Sequence, residues 1–307
     1  MDNNLALVCG VLVTFNPDDT QLELIQHNCM QLDKMIIFDN STDQLVSKKI
    51  IEIINKLKGF SKSSENKYVY LTQKKNVGLP VAYNLSVNEA TKSGISYILL
   101  LDQDAKIERD DVKTLLNGYF KLLRENKNIG AISFNTKETV HRPYDFLFDG
   151  RFKWSGFYYS DDFIEARDLI NSGMLFDINT FLSVGGYNES YFLDNSDREF
   201  TLRLRKNGLR LFKSKNVIMF HNYDSDNNID NLKNSERSPS RDYYIRDLFK
   251  CIPISLKLSF IDFLLVMLLL TSKIFTSLII RNDRRVRGNY ILSGIKDGVK
   301  YILNNNA

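Results

Sequence analysis

Several residue types that define particular protein classes are scarce in this sequence. Only three cysteines occur among 307 residues, and Cys9, Cys29 and Cys251 are widely spaced with no CxxC pair. This spacing argues against a disulfide framework and favours reduced core cysteines in a cytoplasmic protein. No basic segment precedes the first apolar run, so we expect no signal peptide.

A strong excess of charge of one sign is also absent. The net charge is only +4, with 43% hydrophobic and 25% charged residues, as in an ordinary globular protein. This balance is too weak to indicate a nucleic-acid partner, and we expect none. It is compatible with an anionic ligand or with an anionic membrane surface.

Long uncharged segments are missing from the C-terminal region. The longest run there, Phe263 to Ser272, has ten residues, whereas a spanning helix needs about 20. We therefore expect an amphipathic helical segment at 251–307, after an Asn- and Asp-rich linker at 226–250. In an interfacial position its basic end would meet anionic lipid through four arginines, Arg281, Arg284, Arg285 and Arg287. A buried packing or dimerisation helix is the alternative.

The first 135 residues alternate between short apolar runs and segments with helical periodicity. The apolar runs at 5–14, 34–40, 68–71, 97–102 and 129–134 predict strands. The segments at 19–32, 44–58, 79–94 and 108–123 predict helices. This alternation is typical of an α/β, Rossmann-like fold with a mainly parallel sheet and helices on both faces.

Polar residues follow the predicted strands, where ligands bind in open parallel sheets. At these ends the sequence carries Thr14, Asn16, Asp39, Asn40, Asn76, Asp102 and Asp104. Because the carboxyl ends of parallel strands share one edge, we expect these side chains to gather there.

Asp102 and Asp104 directly follow the apolar run "YILLL". Two carboxylates this close repel each other unless a cation or water compensates. Mg²⁺ or Mn²⁺ suits them, since these ions prefer carboxylate and phosphate oxygens. A solvated acidic turn is the alternative for so short a motif. His221 follows the apolar run "NVIMF" and is a candidate further ligand.

The segment "FLDNSDREFTLRLRKNG" predicts a helix that carries acidic groups at its start. Ser196 is the expected N-cap, Glu199 would complete a capping box, and Gly208 would end the helix. One carboxylate among Asp194, Asp197 and Glu199 could serve as a general base. The start of a helix lowers a carboxylate pKa, so we expect the base to be ionised.

Taken together, these motifs resemble those of inverting family-2 glycosyltransferases with a GT-A fold. The matching stretches are "VLVTFNPD", "IIFDNST", "NVGLPVAYN", "LLLDQDA" and "NSGMLFD" through "LRKNG", within residues 5–225. The forms "LLLDQD" and "FLDNSDRE" are most similar to the rhamnosyltransferase-like branch. The resemblance implies one GT-A domain at 1–225, with a donor half at about 1–135 and an acceptor half at about 136–225.

The resemblance also implies roles for individual residues. It gives Asp197 the role of catalytic base, Asp104 that of principal metal ligand, and Asp102 a contact to ribose or metal-bound water. It implies nucleotide-base binding by Asp39 and a metal or diphosphate contact by His221. The remaining substrate-binding candidates are Thr14, Asn16, Asn40, Asn76, Gly78, Asn84, Gln103, Asp194 and Glu199. Ser196 departs from the family pattern, which often has an acid there.

A metal-dependent inverting transferase is therefore the expected function. The best match is transfer of L-rhamnose from dTDP-rhamnose to a saccharide, lipid-linked at the inner face of the cell membrane, in bacterial surface polysaccharide synthesis. A UDP-hexose donor is the nearest alternative. A nucleotidyltransferase is disfavoured because "VTFNPDD" is not a glycine-rich, basic phosphate loop. An inactive sugar-nucleotide-binding protein is disfavoured by the retained Asp104 and Asp197.

Overall fold

The computed structural model describes residues 8–59, 67–136, 145–221 and 238–305. Its strands are β1 Val8–Thr14, β2 Lys34–Asp39, β3 Tyr68–Thr72, β4 Tyr97–Asp102, β5 Ala105–Lys106, β6 Ile129–Thr136, β7 Phe163–Ala166, β8 Met174–Asp177 and β9 Arg210–His221. Its α-helices are α1 Asp19–Gln31, α2 Gln44–Gly59, α3 Leu79–Thr91, α4 Arg109–Arg124, α5 Ile178–Ser183, α6 Ser196–Lys206, α7 Ile245–Leu258, α8 Phe260–Phe275 and α9 Arg284–Asn305. The 3-10 helices Asp145–Leu147 and Pro239–Tyr244 and the π-helical turn Thr276–Ile280 complete the set.

One mixed, mostly parallel sheet runs through the molecule in the order β3-β2-β1-β4-β8-β6-β9, with β5 and β7 both on β9. β1 to β4 are parallel, and β8 enters antiparallel between β4 and β6. Thr14 pairs with Asp39, and Val13 pairs with Asp102. The ends of β1, β2 and β4 therefore meet at one edge, and the predicted α/β fold is confirmed.

The alternation of side chains along β1 builds a core on each face of the sheet. Leu12 packs with residues of α1 and α4 on one face. Val11 packs on the other face with α3 residues, including Tyr83. The three cysteines are free and buried, as expected, and burial raises the pKa of each thiol to about 12.

The start of α6 differs from the predicted capping box. Asn195 occupies the N-cap in a left-handed conformation (φ 64°) and makes no side-chain cap bond. Ser196 donates its hydroxyl to the Leu193 carbonyl instead, at 3.2 Å. Glu199 is captured by Arg203 one turn later, at 2.6 Å. The capping-box prediction is wrong because this ion pair gives Glu199 a stronger partner than a backbone amide.

The predicted linker at 226–250 is wrong over its described part. Residues 222–237 lie outside the described ranges, but the chain is helical from Pro239 onward. Cys251 and Val266 share a core cluster with Tyr191 and Leu202 of the acceptor half. The C-terminal helices are thus packed against the domain that contains the sheet and share a core cluster with it.

Residues Phe260–Ile280 form a 21-residue helical stretch that is long and apolar enough to cross a membrane, by length and composition alone. Only 28% of its most apolar 18-residue part is buried. One side carries the buried Asp262 and the partly buried Lys273. The other side exposes a set of apolar residues, here called the outer stripe: Phe260, Ile261, Leu264, Leu268, Phe275 and Ile279.

The predicted arginine cluster is only half exposed. Arg281 and Arg287 are buried, and Arg287 forms an ion pair with Asp242 at 2.8 Å. Arg284 and Arg285 are exposed. The expectation of four lipid-facing arginines is therefore wrong, because two of the four guanidinium groups lie in the packed interior of the helical segment.

Candidate active site

Asp39 fastens the ends of β1, β2 and β3 together. Its carboxylate accepts hydrogen bonds from the Thr14 hydroxyl at 3.1 Å, the Ser41 amide at 2.9 Å and the Tyr70 hydroxyl at 2.8 Å. Burial by itself would raise the pKa of Asp39, but these hydrogen bonds, chiefly from Ser41, hold it below the usual value. Asp39 and Thr14 have no exposed surface. The role of Asp39 in base binding stays a prediction.

Two asparagines order the loops that follow β1 and β2. Asn16 has positive φ (44°), and its side-chain oxygen accepts the amides of Thr42 and Asp43. Asn40 is nearly buried, accepts the Val77 amide and donates to the Gly78 carbonyl. The polar ends of three strands are thereby joined in one continuous network.

Gly78 brings the start of α3 against the chain segment before α6. It precedes α3 with φ 83°, and a Cβ there would lie 2.6 Å from the carbonyl oxygen of Phe192. The amide of Leu79 donates to the same oxygen at 2.8 Å. Asn76 accepts the Gly78 amide at 2.9 Å and so shapes the turn.

Asn84 makes a second connection between the halves. Its side-chain amide donates to the Tyr187 carbonyl and to Glu189, both at 2.9 Å, and its oxygen accepts the Tyr187 amide at 2.8 Å. In the structure Asn84 therefore holds the loop before α6.

Asp102 and Asp104 lie at the end of β4 and in the turn after it, and both are partly exposed. Gln103, between them, accepts the Phe15 amide at 2.7 Å and donates to Gln21 at 2.9 Å, which fixes the turn. The backbone of His221 pairs with Ala105, one residue beyond Asp104. The side chain of His221 lies outside the described part.

No group of three or more His, Cys, Asp or Glu side chains with metal-binding geometry occurs among the described residues. The pair Asp102 and Asp104 still fits a hard divalent ion, since such ions commonly complete their coordination with phosphate oxygens and water. Their partial exposure on a fixed turn leaves room for those ligands.

Asp197 lies in the first turn of α6; the residue keeps some exposed surface, but its carboxyl group is surrounded by protein and desolvated. Burial and the nearby charges of Asp168 and Asp194 raise its pKa to about 7, against the opposing effect of Arg198. The expected lowering by the helix start is wrong, because desolvation and two like charges exceed the contribution of the helix dipole. Helix geometry does supply one bond, from the Arg198 amide to Asp197 at 2.8 Å.

Two buried tyrosines lie between the end of β4 and Asp197. The rings of Tyr83 and Tyr187 are 5.1 Å apart. Burial raises the pKa of both hydroxyls well above the usual value, and the charges of Asp102 and Asp197 act on both. Tyr187 donates to Asn171. The fold thus brings Asp102 and Asp197, 95 positions apart in the chain, to one aromatic pair.

Asp168 was missed by sequence reasoning. It forms an ion pair with Arg198 at 2.7 Å and accepts the Thr201 hydroxyl at 2.7 Å. No spacing to Asp197 signals this contact, which depends on how the chain after β7 folds against α6.

Glu199 and Asp194, both predicted to bind substrate, have protein partners here. Glu199 is nearly buried and pairs with Arg203, which also donates to the carbonyls of Val184 and Gly186. Asp194 accepts from Arg241 at 2.8 Å and lies 3.4 Å from the Lys273 ammonium. Glu199 therefore stabilises a loop, whereas Asp194 connects the site to the C-terminal helices.

Comparison with known proteins shows which proteins the chain resembles. No family model matches the chain. The dTDP-rhamnosyl transferase RfbF of Shigella flexneri is 25% identical over 255 residues, which cover 79% of this chain and 78% of that protein. The crystal structure of S. aureus TarS 1–349 superposes with a TM-score of 0.56 at 15% identity, covering 95% of this chain and 80% of that one.

A second solved structure shares the fold. GalNAc-T7, determined with UDP, GalNAc and Mn²⁺, superposes with a TM-score of 0.53 at 12% identity, covering 80% of this chain and 51% of that one. The curated relative and these solved structures together support a glycosyltransferase. More closely, the chain has a GT-A fold and resembles family-2 glycosyltransferases, so the predicted resemblance is confirmed.

Proposed function

We propose that the chain catalyses metal-dependent inverting transfer of a sugar from a nucleotide-sugar donor to a saccharide hydroxyl. The observation that carries this proposal is that Asp102, at the end of β4, and Asp197, whose pKa is raised to about 7, both act on the buried pair Tyr83 and Tyr187. Asp104 lies in the turn that follows β4. Asp102 and Asp104 suit a cation that binds a diphosphate, and Asp197 suits the role of proton acceptor.

Asp197 is the proposed general base. The acceptor oxygen attacks the anomeric carbon, the bond from that carbon to the diphosphate oxygen breaks, and the hydroxyl proton passes to Asp197. Attack opposite the leaving group inverts the anomeric configuration. A base with a pKa near the working pH combines adequate ionisation with adequate basicity.

Asp104, with Asp102, would hold Mn²⁺ or Mg²⁺, and His221 is a further candidate ligand. Held there, such an ion would supply positive charge for the leaving diphosphate, an effect of several kcal/mol on the transition state. The protein supplies a turn fixed by Gln103 and a fully hydrogen-bonded strand edge around Thr14, Asn16, Asp39 and Asn40.

For the donor we propose dTDP-L-rhamnose, with UDP-hexose as the alternative. The relative from Shigella flexneri is a dTDP-rhamnosyl transferase, which supports the former at 25% identity. TarS 1–349 was also solved in complex with UDP-GlcNAc (TM-score 0.55), which supports a UDP-sugar as the alternative donor. The acceptor we propose is a saccharide, lipid-linked, of a bacterial surface polysaccharide.

For location we propose the cytoplasmic side of the cell membrane, with peripheral attachment through the outer stripe. An exposed row of large apolar side chains on a helix is typical of a surface that meets lipid or another protein. The exposed Arg284 and Arg285 at its end favour anionic lipid. A homodimer formed through the same stripe is the alternative.

Ligand-induced thermal stabilisation tests the donor assignment, because binding to the native state raises the melting temperature. We expect dTDP-rhamnose with Mn²⁺ to raise Tm more than UDP-GlcNAc with Mn²⁺, and each more than the nucleotide without metal. NMR of the product then determines the anomeric configuration of the transferred sugar. Retention of configuration, or a sugar nucleotide that neither binds nor reacts, would contradict the proposal.

A further inference from the structure

The turn that carries Asp197 is fastened to the C-terminal helices by a charged contact. Asp194, three residues before Asp197, accepts a hydrogen bond from Arg241 at 2.8 Å, and the Lys273 ammonium lies 3.4 Å from its other oxygen. The side chains of Asp194 and Lys273 are only 15% and 19% exposed. Arg241 is 43% exposed, so it is the Asp194–Lys273 pair that solvent screens less than an ordinary surface pair.

A second set of contacts attaches the C-terminal helices to the sheet-containing domain. Asp262 forms ion pairs with Arg167 at 2.9 Å and Arg205 at 2.7 Å, and all three side chains are at most 12% exposed. Lys250 also donates to the Ser190 carbonyl at 2.6 Å. α7 and α8 are thus attached on both sides of the turn at 192–197.

The contact of Asp194 with Arg241 and Lys273 affects the charge near Asp197. Asp168 and Asp194 are anionic neighbours, Arg198 is the cationic one, and the tyrosine pair and Asp102 lie on the side of β4. On the other side of Asp194 are Arg241, Lys273 and Tyr244. Without its two cations, the charge of Asp194 would act on Asp197 uncompensated and disfavour the ionised base.

We infer that Lys273 and Arg241 are positioning residues for the transfer reaction: through Asp194 they hold the base-bearing turn and support the ionised form of Asp197. The C-terminal helices are then part of the active site as well as a surface for attachment. This inference rests on the proposed function through the role of Asp197.

The first test is kinetic and uses Lys273→Met, which keeps the aliphatic stem and removes the charge. The matched control is Lys257→Met, at an exposed position in α7. For Lys273→Met we expect kcat at pH 7 to fall about 5- to 20-fold, donor KM to change less than about 2-fold, and most of the rate to return at higher pH as the base ionises. Lys273→Arg should restore the rate, and Lys257→Met should match the wild type. Equal kinetics in the two methionine variants, or a rate loss that is the same at every pH, would overturn the inference.

The second test needs no activity. Tm is measured at pH 8 for the wild type, Asp197→Asn, Lys273→Met and the double variant, as a double-mutant cycle. We expect Asp197→Asn to raise Tm more in the Lys273→Met background than in the wild type, since it removes a charge that Asp194 then repels more strongly. Additive changes would overturn the inference. If the cycle shows coupling while no sugar nucleotide reacts, the proposed function fails and the link between the helices and Asp197 stands.

Discussion

Asp168 and Asp197 share Arg198: its guanidinium is 2.7 Å from Asp168, and its backbone amide donates to Asp197 at 2.8 Å. Arg198 also lies 4.7 Å from the ring of Phe148, which holds the guanidinium in place. Burial is the largest cause of the raised pKa of Asp197, about 7; the charge of Asp168 adds to the rise, and Arg198 opposes it. Because the Arg198 guanidinium pairs with Asp168, Asp197 receives only the backbone hydrogen bond from this residue.

Replacing Asp197 should separate catalysis from stability. We expect Asp197→Asn to lower kcat by roughly 10²–10⁴-fold, the usual range for loss of a general base, with little effect on donor KM. The folded state holds this proton up to about pH 7, whereas an unfolded aspartate loses it near pH 4. Stability therefore falls as pH rises between these values, and the variant should be more stable than the wild type at pH 8.

Thermal unfolding at pH 4 and pH 8 measures this difference. A gain of about 1 kcal/mol would raise Tm by ~2–4 °C for a domain of this size. Glu199→Gln is the control, since it breaks the ion pair with Arg203 and should lower Tm at both pH values. A normal rate in Asp197→Asn would transfer the base role to another carboxylate.

The activity of the wild type should depend on pH through the same group. Only the ionised base accepts a proton, so kcat should fall as pH drops through about 7. Removing the charge of Asp168 should lower the pKa of Asp197, so the fall in kcat should occur at lower pH. The pH dependence of kcat for Asp168→Asn, measured at saturating donor and metal, tests this shift. If kcat falls at the same pH as in the wild type, Asp168 does not raise the pKa of Asp197.

Loss of the strand-end carboxylate should abolish metal-supported turnover. We expect Asp104→Asn to remove detectable transfer and to weaken Mn²⁺-dependent nucleotide binding, while nucleotide binding without metal changes little. Calorimetric titration with nucleotide in Mn²⁺ and in EDTA measures both. Full activity of the wild type in EDTA would rule out the metal role.

A methyl group at Gly78 should separate the two halves of the site. Gly78→Ala places a Cβ 2.6 Å from the Phe192 oxygen at φ 83°. Gly94→Ala, at φ 67° with nothing within 4 Å, carries the conformational cost alone, about 1–2 kcal/mol. We expect Gly78→Ala to lower Tm further than this control and to weaken donor binding. Equal Tm values would show that the close approach to Phe192 is unimportant.

Membrane attachment should depend on the outer stripe and on the two exposed arginines. We expect Leu264→Ser with Leu268→Ser to reduce flotation with anionic vesicles at any salt concentration. Arg284→Gln with Arg285→Gln should reduce flotation mainly at low salt, since charge attraction is screened. Arg287→Gln, which breaks the buried pair with Asp242, should lower Tm instead. A wild type that ignores vesicles and sediments as a dimer would assign the stripe to a dimer interface.

The strand edge could be predicted from the sequence because its signals are local. The apolar runs before Thr14, Asp39 and Asp102 and the intervening helical segments indicate parallel strands, and parallel strands end together. The predictions of a linker at 226–250 and of four exposed arginines were wrong because they depend on contacts between distant residues. Polar composition shows that a segment can be exposed, but a distant partner such as Asp242 decides whether a particular arginine is buried.

The sequence by itself determined the α/β order, the strand-end carboxylates and the family resemblance, since each follows from the periodicity and motifs of contiguous residues. Only the tertiary structure decided the environment of Asp197 and the attachment of α8 to the site. The pKa of a carboxyl group depends on desolvation and on charges within a few ångströms, and here those charges come from Asp168 and Asp194. Asp194 in turn meets Arg241 and Lys273, 47 and 79 positions later in the chain, so no local pattern could predict their contact.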